Sequence, residues 1–567
     1  MELPKLPSKC IECIINQIEE NDIKTLHSTT LVNRDWCKFS ITRLWKAPLS
    51  FSNLIINSNP NFKNSNSKNL TTKYPFNNFY KIIPILLSFL DLKSKKDLNN
   101  LSKHFFIPKD TLNFYPKLNY DLKIPIHDLK IPSSSSSFDY PKFIKHVNFV
   151  DLVVLVNKWL NHLLSETLSN SSMFLNFYLY KSLSNWEYVR YMTNSINFHC
   201  PFIHFDKNPQ TFFNFIIESL FKVLVNYSII DSLYIMDVSI SNHLCNQLIL
   251  LDFNNNNNNN NNNHHHFLSN LSRLDFCQSL DSRILKKFSN FYNNNITTIS
   301  LNVLSDDSFD DVIIFIDSLH SLQSVSIFGN NIIVTPLIHS LQNHTSTLIK
   351  LKLNSCIIDH DAIMSLSKFI NLQDLIFHQL HFTFDDHAGN NIINIISTNN
   401  LNFPKLKKLI YWEYSSTNSL ITFIIKNNGH NLSHLDIHTS MERCIKLFDL
   451  ISIHCPLLIS FFTPISEQKD FLALFSILKY CKFLKILYIY EFNIIKINED
   501  VILSFINFIP DSLLYLKINK LEFSQFKLGY KLKNCSIISE VLFGKNSLAV
   551  KEFFSSIGNQ EIRRLDN

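Results

Sequence analysis

Residues 348 to 356 read Leu348-Ile349-Lys350-Leu351-Lys352-Leu353-Asn354-Ser355-Cys356. Large apolar residues at the first, fourth and sixth places and Cys at the ninth fit L-x-x-L-x-L-x-x-N/C, a pattern of repeat proteins. Leu351 and Leu353 alternate with Lys350, Lys352 and Asn354, as in a strand with one buried face. The pattern recurs outward in both directions. Downstream copies are Leu372/Leu375/Phe377, Leu406/Leu409/Tyr411, Leu432/Leu435/Ile437, Leu484/Leu487/Ile489, Leu513/Leu516/Ile518 and Ile538/Val541/Phe543/Asn546. Upstream copies are Leu322/Val325/Ile327/Asn330, Ile296/Ile299/Leu301, Leu271/Leu274/Phe276 and Ile230/Leu233/Ile235.

The second apolar position falls at 233, 274, 299, 325, 351, 375, 409, 435, 487, 516 and 541. The step of 52 from 435 to 487 hides a degenerate copy around Leu457 to Phe462, and that of 41 contains the thirteen-residue run Asn254 to His266. A period of 24 to 29 thus holds for nearly all of residues 229–567. Helical patterns fall between strands, as at 311–319, 361–370 and 419–427. No unit can bury its own apolar face, so stacked units share one core, with a parallel sheet on the concave side and helices outside. This resembles the leucine-rich-repeat family, and His454-Cys455-Pro456 ahead of a strand is similar to its cysteine-containing members.

Composition removes several function classes. The 567 residues hold only 6 glycines, none closer than fourteen residues to the next, so neither G-x-G-x-x-G nor G-x-x-x-x-G-K-[ST] can occur. The G-x-S-x-G hydrolase elbow is excluded with them. Asn, Lys, Ile, Phe and Tyr are abundant where Gly and Ala are scarce, so part of the deficit reflects the encoding DNA. A net charge of +6, with scattered Lys and Arg, gives little support to nucleic-acid binding. Eleven cysteines without a dense framework, and an opening MELPKLPSKC without the pattern of a signal peptide, point to reduced thiols and an intracellular, cytoplasmic or nuclear, location. No apolar run reaches membrane-spanning length.

Residues 1–48 form a separate helical pattern. Cys10, Ile11, Ile14, Ile15 and Ile18 make a stripe at helical spacing, Pro7 suits an early helical position, and Asp22 can cap a second helix carrying Ile23 and Leu26. Leu31, Val32, Trp36, Leu44 and Trp45 supply a third apolar set. So few residues make a marginal core, stabilised by burying surplus apolar surface on a partner. In order and spacing, Leu6-Pro7, Ile11, Ile14-Ile15, Asp22-Ile23, Leu26, Leu31-Val32, Trp36 and Leu44-Trp45 resemble the F-box. That resemblance implies docking on the S-phase-kinase-associated adaptor of a cullin-RING ubiquitin ligase through Leu6, Pro7, Ile11, Ile14, Ile15, Leu31, Val32 and Trp36. It implies a substrate-recognition subunit of an SCF-type ligase, with the repeats holding a target protein. The alternative is a repeat scaffold whose first helices only cap the array. Between the two regions, 49–73 reads as a polar linker and 74–228 as a helical connecting region, with apolar helical stretches at 79–92 and 149–164. Residues 254–266 read as a disordered Asn/His insertion.

The expected architecture is therefore α/β: a three-helix F-box, a helical middle region and a leucine-rich-repeat solenoid. No catalytic residue, cofactor or metal is expected. Cys10-x-x-Cys13 lacks a second ligand pair, His264 to His266 sit in a low-complexity run, His378-x-x-His381 lacks the helical spacing of a zinc site, and Asp385-Asp386-His387 stand without further ligands. Side-chain alternation instead directs attention to the concave face. Its aromatic and charged residues, Trp412, His434, Asp436, Tyr488, Tyr490 and Tyr515, are expected to face solvent and bind the target protein.

Overall fold

In the computed structural model, the residues described are 6–18, 22–46, 81–102, 106–107, 122–123, most of 139–162, 209–235, 267–277, 282–292, 294–303, 309–382, 401–412, 419–438, 444–465, 468–491 and most of 501–518. The polar linker 49–73, the Asn/His insertion and the repeat copy at 538–546 lie outside them. The chain divides into two compact units, 1–297 and 298–567.

The first unit opens with α1 (Ser8–Gln17), α2 (Ile23–Thr30) and α3 (Arg34–Leu44). Ile11, Ile15 and Leu26 are buried at their centre, with Ile18, Trp36, Phe39 and Leu44 packed around them. Asp22 caps α2 by accepting from Thr25 N at 3.1 Å. Asn33 caps α3, its Oδ1 accepting from Asp35 N at 2.9 Å and Trp36 N at 3.1 Å. Two ties hold the helices together: Arg43 donates to the Ile15 carbonyl, and Ser40 Oγ donates to Thr29 Oγ1 at 2.7 Å.

Further along lie α4 (Ile82–Leu87), α5 (Leu92–Ser102), the two-residue antiparallel strands β1 (Phe106–Ile107) and β2 (Leu122–Lys123), and α6 (Pro209–Tyr227). Leu152, Leu155, Val156, Trp159 and Leu160 are helical and buried. The unit also contains parallel strands β3 (His146–Asn148), β4 (Ser232–Ile235) and β5 (Arg273–Cys277), with α7 (Ser282–Tyr292) after them. Val147 aligns with Leu233, and Leu233 with Leu274. The parallel sheet thus starts upstream of the boundary at 228, inside the region read as helical connection. The reason is visible afterwards: Ile144/Val147/Phe149 is itself a copy of the repeat pattern, lying 86 residues before the next one.

One backbone contact recurs. The carbonyl just before each strand accepts from two successive amides of the next strand's start. Lys145 O takes Asp231 N at 2.7 Å and Ser232 N at 3.1 Å, and Asp231 O takes Ser272 N at 2.9 Å and Arg273 N at 3.2 Å. The series begins in the helical module, because Lys46 O takes Lys145 N at 2.8 Å and His146 N at 3.2 Å. Trp45 stacks on Tyr140 beside it, with ring centroids 4.3 Å apart. The three helices therefore end in a main-chain group that occupies the place of a preceding repeat, satisfying amides that the first strand would otherwise leave open.

The second unit repeats one design. Strands β6 (Thr298–Asn302), β7 (Ser324–Ile333), β8 (Lys350–Ile358), β9 (Asp374–His378), β11 (Lys408–Trp412), β12 (His434–His438), β13 (Ser460–Ile465), β14 (Ile486–Glu491) and β15 (Tyr515–Ile518) pair in parallel in that order, and the short β10 (His381–Phe382) pairs beside the end of β8. Helices α8 (Asp310–Ser318), α9 (Thr335–Ser340), α10 (His360–Leu366), α11 (Ser419–Asn428), α12 (Cys444–His454) and α13 (Gln468–Tyr480) come between strands.

The register joins the residues of the sequence pattern. Ile299, Val325, Leu351, Leu375, Leu409, Leu435, Phe461, Leu487 and Leu516 lie side by side across the sheet. Phe461, the degenerate copy, falls in line. From Ile299 to Leu487 these side chains are fully buried, and Phe448 of α12 meets Phe461 edge-on at 5.9 Å, which places this row toward the helices. Burial of each large apolar side chain stabilises the fold by about 1.5–3 kcal/mol.

Candidate recognition face

Side chains between the core positions point to the opposite, open face of the sheet. The register sorts them into three rows. The first runs Ser324, Lys350, Asp374, Lys408, His434, Ser460, Ile486 and Tyr515; the second runs Ser326, Lys352, Ile376, Ile410, Asp436, Phe462, Tyr488 and Lys517. In the third, Phe328, Asn354, His378, Trp412 and His438 are neighbours.

Strand spacing brings the rings of these rows into contact. His378 lies flat on Trp412 with centroids 4.7 Å apart and planes within 8°, and His438 approaches the same indole at 5.3 Å. Phe462 and Tyr488 sit 5.8 Å apart, and Lys352 Nζ stands 4.9 Å from the Phe328 centroid. The face is consequently less open than alternation alone implies. His434 is exposed and Trp412 and Tyr515 are half-buried, but Tyr488 is buried, at 9% exposure, shielded in part by Phe462. The expectation that Tyr488 faces solvent is corrected on that ground. Tyr490 lies on β14, and the surroundings of its side chain are outside the described residues.

Asp436 is the unusual group of the face. Burial pushes its carboxyl up to about 7, opposed by the Trp412 indole N–H and by Lys408. Its Oδ1, Trp412 Nε1 and Ser460 Oγ, on three adjacent strands, are each buried without a hydrogen bond of ordinary geometry. Burial lowers the His438 imidazole to about 4, and lowers that of His434, where Lys408 acts in the same direction. The neutral His438 imidazole beside the Trp412 indole, with a carboxyl that resists ionisation, can hold a polar or cationic group. They contain no nucleophile with a base beside it. Sequence pattern placed these residues, His378 among them, on one face but could not show that His378 belongs to the ring stack.

The N-terminal candidates separate into two sets. Ile11 and Ile15 are 2% and 1% exposed, so their expected role in holding an adaptor is corrected: they form the module's own core, because α1 turns them toward Leu26. Trp36 is half-buried in the same packing. Leu6, Ile14, Leu31 and Val32 are 51%, 43%, 75% and 59% exposed, and Pro7 is exposed as well. Cys10 and Cys13 are exposed free thiols on α1. Among the described residues no group of three or more His, Cys, Asp or Glu could hold a metal ion. His381 lies on β10, and Asp385, Asp386 and His387 lie outside the described residues. No described helix is long and apolar enough to cross a membrane.

No protein-family model and no curated protein matches the chain. Among solved structures, a crystal structure of an internalin from Listeria monocytogenes is similar at 14% identity, covering 55% of this chain and 77% of that one with a TM-score of 0.29. A likeness of that size carries no argument about activity or partner. The strand register itself defines the class: an α/β repeat protein with an in-register parallel sheet.

Proposed function

We propose that the chain is a non-catalytic recognition scaffold that binds a protein target on the open face of its second unit. The observation that carries this reading is the juxtaposition of His378, Trp412 and His438 with Asp436, Phe462 and Tyr488 on five consecutive strands of one sheet face. Aromatic rings beside charged groups on a rigid surface are the usual composition of binding hot spots. The test is affinity purification of the full chain beside Trp412→Ala and Phe462→Ala. Proteins that associate with the parent chain should be lost from both variants while thermal stability is kept. Retention of every associated protein by both variants would exclude the face.

A second reading is favoured by Leu6, Ile14, Leu31 and Val32, apolar side chains left exposed by a folded three-helix module. On this reading the module docks the S-phase-kinase-associated adaptor, and the chain serves as the target-receptor subunit of an SCF-type cullin-RING ligase. Catalysis would then be proximity, with the target held near a ubiquitin-loaded enzyme at high effective concentration. Purified adaptor should co-elute with the full chain and not with Leu31→Asp/Val32→Asp. Absence of co-elution from the parent chain leaves the scaffold reading alone.

A further inference from the structure

We infer that the open face takes a basic side chain of the bound protein, a lysine ammonium or an arginine guanidinium, with Asp436 as its counter-ion and Trp412, Phe462 and Tyr488 as its aromatic surroundings. This rests on the recognition reading given above and names the chemistry of that site.

The immediate lateral neighbours of Asp436 in its row are Ile410 on β11 and Phe462 on β13, with Tyr488 one strand further. None of them supplies a charge. The charged and titratable groups around it lie one row away: Lys408 and His434 toward the strand starts, and His438 toward the strand ends beside the neutral Trp412 indole, with Asp374 and His378 on β9 beyond. Among the described residues none forms an ion pair with Asp436, and its Oδ1 accepts no hydrogen bond. The one donor the chain sets beside this half-buried carboxyl is the Trp412 indole N–H, and a carboxylate with two oxygens has capacity for a further donor from a bound partner.

The surrounding groups select the sign of that donor's charge. Ring faces attract cations, and a carboxylate gains most from a charge-assisted hydrogen bond. An acidic ligand would meet Asp436 unfavourably. A neutral amide could satisfy Oδ1, but the attraction of the rings for positive charge would go unused. A cation also favours the ionised carboxylate, so binding is coupled to proton release. Because burial raises the Asp436 carboxyl to about 7, affinity is full above that pH and declines below it.

The probes are four capped tripeptides, Ala-Lys-Ala, Ala-Arg-Ala, Ala-Gln-Ala and Ala-Glu-Ala, titrated into the full chain labelled with fluorotryptophan. The Trp412 resonance is assigned with Trp412→Phe. The Lys or Arg peptide should shift that resonance saturably at pH 8, bind at least tenfold more weakly at pH 5.5, and lose its effect in Asp436→Asn. Lys408→Met, which removes the nearest internal cation, should tighten binding. Equal binding of the Gln or Glu peptide, or binding unaffected by Asp436→Asn, overturns the inference while leaving the recognition face in place. No shift with any peptide overturns it too, and the loss of associated proteins from Trp412→Ala then decides separately whether the face recognises anything.

Discussion

Gly429 shows how a single residue is fixed by the stacking of repeats. A Cβ at this position would lie 2.8 Å from His454 O and 2.9 Å from Cys455 Sγ of the next repeat, and neither the carbonyl nor the buried thiol has room to withdraw. Gly429→Ala should therefore destabilise the chain by about 1–3 kcal/mol, read from denaturant unfolding; an unchanged midpoint would mean that the repeats are not in this contact. Asp436 supplies a second residue-scale prediction. Its carboxyl is raised from 3.8 to about 7 in the folded chain, so the folded state keeps a proton that the unfolded chain has released. Stability from this group falls as pH rises from about 4 to 7. Asp436→Asn removes that loss and should be more stable than the parent at pH 8 by at least about 1 and at most roughly 4 kcal/mol, with the advantage vanishing near pH 4. The opposite contribution of His438, whose lowered value of about 4 against 6.5 favours folding more as pH rises, is present in both chains and cancels in the difference. An advantage independent of pH would contradict the burial of Asp436. Neither property was legible in the sequence. Alternation placed Asp436 on the open face, but its burial depends on rings contributed by other strands.

At the scale of elements, the strands are the most legible feature because each carries two inward apolar residues at fixed spacing, and ten of the eleven second apolar positions, from Leu233 to Leu516, fall in the observed register. Residues 311–319 and 419–427 correspond within a residue or so to α8 and α11, but α10 stops at Leu366 rather than 370. The strand at His146–Asn148 escaped notice because its neighbour in space is distant in sequence, so no constant step pointed to it. The devices that lock repeats together were also missed. Asn295, Asn371 and Asn431, each directly before the first apolar residue of its repeat, donate to the carbonyls of Ser269, Ser346 and Pro404 in the preceding repeat, at 3.0, 2.9 and 2.8 Å. In an Asn-rich chain such residues do not stand out. The cysteines divide by element. Cys356 and Cys481 are buried, and burial pushes their thiols up to about 12, while Cys455 between repeats is raised as well. Cys10 and Cys13 are exposed on α1. Alkylation of the native chain by iodoacetamide at pH 8, mapped by mass spectrometry, should modify Cys10 and Cys13 and leave Cys356, Cys455 and Cys481 unmodified until denaturant is added, since the thiolate is the reactive form. Early labelling of Cys455 or Cys481 would place those residues outside a packed core.

At the scale of the molecule, the two units express one principle in different ways. In the first, a helical module too small for a large core of its own ends in Lys46, whose carbonyl starts the hydrogen-bond series continued by Lys145 and Asp231. In the second, units of strand and helix stack so that each buries the next one's face, which frees the other face of the sheet for recognition. The scarcity of glycine agrees with this design: the positive-φ positions at Asn331 in β7, Ser355 in β8 and Gln379 just after β9 are taken by residues other than glycine. The most direct measurement is photo-crosslinking from four positions of the full chain in cells, with the light-activated residue placed at Lys352 or Ile410 on the open face, or at Lys426 or Lys446 on α11 and α12. The account predicts that one and the same protein is trapped from both open-face positions, from neither helical position, and no longer from Ile410 when Trp412→Ala is added. Trapping from the helices alone, or equally from all four positions with no response to Trp412→Ala, would contradict it.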